Sequence, residues 1–120
     1  MIFRALFAAL AVVALAGCAT DPAPNEQMRL TQQALEQASA VGASADDSPE
    51  LKLAEDKFAR AKGDMVDESY KHARMRAEQA ELDARLAEAK ILTQKSQEQL
   101  NVLNTRITRL RKQLQLGEVQ

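Results

Sequence analysis

Between Asp67 and Leu116 the chain contains neither glycine nor proline, the two residues that most reliably end a helix. Strong helix formers fill the interval, so it is predicted to form one uninterrupted helix of about 70 Å at 1.5 Å per residue. A helix of that length in a chain of 120 residues leaves little sequence with which to cover it. Its first half carries Tyr70, Ala73, Ala77, Ala80, Ala84, Ala87 and Ile91, spaced alternately by three and four residues. Small side chains on one seam let other helices approach closely. The expected fold is therefore all-α, a short helical hairpin packed on one long, partly coiled-coil-like C-terminal helix.

The hairpin is written in the preceding residues. Asn25 is placed to cap a first helix, Met28, Leu35, Ala38 and Val41 share one face of it, and Gly42 is its stop. Ser48-Pro49-Glu50 then reads as a helix start, with the hydroxyl as cap and proline at the first helical position. Leu51, Ala54, Phe58, Ala61 and Met65 follow with the same three-four step, one narrow packing seam. Gly63-Asp64 interrupts that pattern, and Asp67 is expected to cap the start of the long helix. Aromatic residues are 3% of the chain and tryptophan is missing, so the core must be thin.

A second stripe on the long helix has no evident cover. Leu100, Leu103, Ile107, Leu110 and Leu114 repeat the step, and traced backwards the stripe passes Met75, Leu82, Leu86 and Ala89, out of phase with the alanine seam. The two short helices together are too short to cover both. The distal leucines are accordingly assigned to partner binding, through another protein or through self-association. Between the two halves, Thr93 to Gln99 is polar all round, which suggests a stutter, a bend or the edge of the folded unit.

Sixteen basic and seventeen acidic residues are interleaved, which solvates helix surfaces and leaves no footprint for nucleic acid. His72 is the only histidine, and at the start of the long helix it reads as a surface residue. Glu78, Glu81 and Asp83 have Lys or Arg at helical spacing, as with Glu81 and Arg85, so they read as solvated ion pairs and not as acid-base catalysts. Four scattered glycines form no phosphate-cradling loop. Arg106, Arg109, Arg111 and Lys112 suit the negative end of the helix dipole, or else an anionic lipid, lipopolysaccharide or wall polymer. No catalytic constellation, metal site or cofactor motif is visible, and the chain reads as non-enzymatic, an interaction or adaptor module or, alternatively, a structural coiled-coil oligomer that acts as a spacer near the cell wall.

The first residues address location. One positive charge, Arg4, precedes an apolar run that is shorter than the roughly 20 residues needed to span a bilayer. It ends in Leu15-Ala16-Gly17-Cys18, which resembles the lipobox of bacterial lipoproteins. There the leader is cut before the cysteine, which receives a diacylglyceryl group on its thiol and an acyl chain on its new amino terminus. Residues 1–17 are then a signal peptide, Cys18 is the lipid-modified membrane anchor, and the proline-bearing segment 18–25 is a tether. Ala19, where aspartate would favour the inner membrane, implies the outer membrane, with the protein on its periplasmic face.

The helical part has a resemblance of its own. Ala38 to Gly42, Ser48 to Ala61 and Tyr70 to Lys90 resemble bacterial lipoproteins that carry the domain of unknown function 4398. That resemblance implies an alanine-rich helical domain over residues 26–92, with 93–120 as a helical extension. It implies no activity. Some relatives append a peptidoglycan-binding domain, which this sequence does not contain, so contact with peptidoglycan would need another route.

Overall fold

The computed structural model describes residues 21–117, with the side chain of Leu116 excepted. Three helices occur in order: α1 (Asn25–Ala40), α2 (Pro49–Val66) and α3 (Tyr70–Gly117). The all-α fold with two short helices on one long one is the architecture that the seams called for. The signal segment, the lipobox Leu15, Ala16 and Gly17, and Cys18 lie outside the described residues.

The first helix starts one residue earlier than expected. The carbonyl of Pro24 already accepts the Met28 N–H at 3.0 Å, so Asn25 is the first helical residue and not its cap. No side chain caps this end. At the other end, Gly42 adopts φ +99° and makes the paired bonds of a Schellman turn: Gly42 N–H to the Ser39 carbonyl at 2.9 Å, and Ala43 N–H to that of Ala38 at 3.0 Å. α1 has no basic residue in its last turn. The missing cation comes from α3, whose Lys95 ammonium donates to the Val41 carbonyl at 2.7 Å.

α2 opens as read, with the Ser48 hydroxyl accepting the Leu51 N–H at 3.3 Å and Pro49 in the first turn. Its end differs from expectation. The helix runs through Gly63 to Val66, and Asp67 closes it instead of capping the next helix. A second Schellman turn follows, Glu68 N–H to the Met65 carbonyl and Ser69 N–H to that of Asp64 at 2.8 Å. Glu68 fills the left-handed position at φ 56°, where glycine is usual. The Ser69 carbonyl then accepts the Ala73 N–H at 2.9 Å and starts α3. Gly63 does not break α2, and its neighbour Asp64 is held from across the interface by Arg76 Nη1 at 2.8 and 2.9 Å.

Cross-links give the topology. Gln27 meets Glu81 and Val41 meets Lys95, so α1 runs parallel to α3. Glu50 meets Lys90, Lys57 meets Asp83 at 2.6 Å and Asp64 meets Arg76, so α2 runs antiparallel to it. Each short helix packs mainly on α3 and touches the other little. The shared floor is the alanine seam: Ala73, Ala77, Ala80, Ala84 and Ala87 are all fully buried. Leu35, Leu51 and Phe58 supply the bulk above it, with Met28 and Ile91 at its ends.

Candidate interaction surface

Thr31 shows how close the seam allows α1 to come. Its fully buried hydroxyl oxygen lies 2.9 Å from the carbonyl oxygens of both Gln27 and Ala77, one within its own helix and one in α3. A side chain larger than alanine at position 77 would hold the helices too far apart for that bond. Beside it, the Gln27 amide donates to Glu81 at 2.7 Å, and Arg85 donates to the other oxygen of the same carboxylate. These two bonds, Gln27 first, hold the Glu81 carboxyl below the usual carboxylate value. Lys90 does the same for Glu50, as Arg29 does for Glu26.

Of the three carboxylates read as ion pairs, two form one, and Glu78 has no salt bridge among the described residues. Glu81 pairs with Arg85 as expected, while Asp83 reaches across to Lys57 on α2. His72 is exposed, as read. Among the described residues no group of three His, Cys, Asp or Glu side chains is placed to hold a metal ion. No buried polar side-chain atom among them lacks a partner, and none of their helices is long and apolar enough to cross a membrane.

Two surfaces remain open. Because α1 and α2 scarcely touch, a shallow groove lies between them, floored by Leu35, Ala59 and Phe58 and rimmed by Glu36, Glu55 and Lys62, whose ammonium sits 4.4 Å from the centre of the Phe58 ring. The larger surface is on α3. Met75, Leu82, Leu86, Leu100, Leu103, Ile107, Leu110 and Leu114 are between 45% and 71% exposed, and every side chain described from Leu92 to the end of α3 is exposed. The sequence reading allowed a stutter near residue 95, and the helix does not carry one in its apolar stripe. Positions 82, 86, 89, 93, 96, 100 and 103 keep the alternation of four and three without a slip, inside one continuous helix. What ends near Lys95 is the cover: α1 ends beside Lys95, α2 begins beside Lys90, and about 33 Å of α3 continues alone. In heptad terms the leucines hold positions a and d while the buried alanines hold b and f, nearly the opposite side of the helix.

The molecule thus belongs to the small all-α proteins in which two short helices clamp one face of a long helix and leave the other face bare. The description "Domain of unknown function (DUF4398)" matches residues 26–103, and the chain belongs to that family. A crystal structure of a DUF4398 family protein from Pseudomonas aeruginosa PAO1 is 67% identical to it, with the match covering 82% of this chain, 100% of that one, and a TM-score of 0.76. No curated protein matches the chain.

Proposed function

We propose that the protein is a non-enzymatic, lipid-anchored component of the bacterial cell envelope, an anchor joined to an interaction surface. The observation that carries the second half is the bare stripe on α3, with Leu100, Leu103, Ile107, Leu110 and Leu114 as its distal part. Exposed apolar surface of this extent on a helix generally marks a contact. In this reading α1 and α2 stiffen the base of α3, and the free half reaches a partner away from the anchor. The first half rests on Leu15-Ala16-Gly17-Cys18, which supplies a lipidation site ahead of a short proline-bearing segment. Ala19 after the cysteine favours the outer membrane.

Mass spectrometry of the mature amino terminus tests the anchor. A chain beginning at an acylated Cys18 is expected, and a free thiol or a start elsewhere refutes it. Separation of the two membranes tests the destination, which recovery from the inner membrane alone overturns. For the surface, Leu103→Glu combined with Leu110→Glu is expected to abolish crosslinking to other protein in intact cells. Unchanged crosslinks in that variant reject the stripe as the contact.

A further inference from the structure

We propose that the stripe on α3 is occupied by α3 of a second copy of this chain, running antiparallel to the first. The proposal deepens the reading of the stripe as a binding surface and does not depend on lipidation. A face that steps alternately by three and four over some six heptads, apolar at every position but Gln79, Thr93 and Ser96, fits another helix lying nearly along it. If each of the eight large side chains can lose on the order of 80 Å² of apolar surface, pairing two copies removes on the order of 1,300 Å² from water, within the range of stable interfaces.

Self-complementarity favours a second copy, and it favours one direction. About a point between Gln94 and Lys95 the stripe is nearly symmetric: Leu86 falls opposite Leu103, Leu82 opposite Ile107, Met75 opposite Leu114 and polar Thr93 opposite polar Ser96, with Gln79 opposite Leu110 as the one mismatch. Polar layers then meet each other in the middle and leucine layers meet each other on either side. Charge favours the same direction. A parallel, in-register pair sets like charges against each other at every charged pair of its flanking positions g and e: Lys71 with Arg76, Glu78 with Asp83, Arg85 with Lys90 and Arg106 with Arg111. An antiparallel pair does so only for Arg85 with Arg106 and Arg76 with Arg111, and brings Glu81 of one copy near Arg109 of the other.

Disulfide mapping of the full chain in intact cells decides it, with oxidation followed by non-reducing electrophoresis and the parent chain as control for Cys18. The double variant Leu86→Cys with Leu103→Cys is expected to give a covalent dimer. Neither single variant should, because residue 103 lies some 25 Å along the axis from its own copy in the antiparallel arrangement. A dimer from Leu103→Cys alone means parallel pairing and overturns the proposal. So does the absence of any dimer, which assigns the stripe to a foreign protein or to a lipid surface. Acylation of Cys18, read by mass in the parent chain, reports separately on the anchor.

Discussion

Replacing Phe58 by alanine removes the largest side chain that α2 contributes to the core. The ring is only 5% exposed and lies against the alanine seam, with Leu35 and Leu51 in the same cluster. Truncation of a buried phenylalanine costs 3–5 kcal/mol, part of it transfer energy and part the cavity left behind. Here the cavity part is small. The ring forms part of the floor of the groove between α1 and α2, so the space opens outward and water fills it. The Lys62 ammonium above the ring adds well under 1 kcal/mol at so exposed a site. The expected loss is therefore about 3 kcal/mol, a large share of the 5–15 kcal/mol that holds a domain of this size together. Urea unfolding followed by circular dichroism should show a lower midpoint with an unchanged slope, and Phe58→Leu should lose less than half as much. A loss for Phe58→Ala within about half a kcal/mol would show that the seam does not carry the fold.

The two Schellman turns predict opposite responses: Glu68→Gly should raise stability by about 1 kcal/mol because it relieves a left-handed glutamate, and Gly42→Ala should lower it by a similar amount. A thermal melt reads both, and equal signs would contradict the turn assignments. Thr31→Val should cost about 1 kcal/mol through loss of the bond to the Ala77 carbonyl, measured by the same urea titration, and a stabilised variant would show that the bond contributes nothing. Glu81 ionises more readily in the folded chain than in the unfolded one, so its contribution is fully present above its unfolded value of 4.5 and fades as pH falls through the lowered one. Urea midpoints taken from pH 6 downward should fall less steeply in Glu81→Gln than in the parent, and parallel profiles would assign the acid sensitivity to other groups.

Much of the fold was legible because its signals are local and periodic. The three-four step of Leu51, Ala54, Phe58 and Ala61, and that of the five seam alanines, each name one buried face, and every one of those residues is buried. Gly42 was legible because a left-handed stop calls for glycine, and Ser48 because a hydroxyl before proline has few other uses. Thr31 was missed, although it lies three residues after Met28 and four before Leu35, the correct step for the buried face. Its hydroxyl hid it, since only its approach to the Ala77 carbonyl makes burial tolerable. Asn25 and Asp67 were misassigned because a capping side chain competes with where the neighbouring carbonyls fall, and Pro24 and Ser69 hold the positions that start α1 and α3. Cross-links such as Lys57 with Asp83 join residues 26 apart, beyond any local spacing rule. Of the surface, the stripe itself was legible; the unbroken register through Thr93 and Ser96 emerged only once α3 was seen to be continuous.

The parallel placement of α1 on α3 carries a kinetic consequence. Contacts of α2 with α3 close from the turn outward, beginning with Asp64 and Arg76 only 12 residues apart, whereas α1 reaches α3 across 46 to 54 residues. Loop closure therefore favours early zipping of the α2–α3 pair and late docking of α1. The same order run backwards makes α1 the first element to leave. Its amides should exchange with solvent through partial openings, while those near Ala77 and Ala84 should wait for global unfolding.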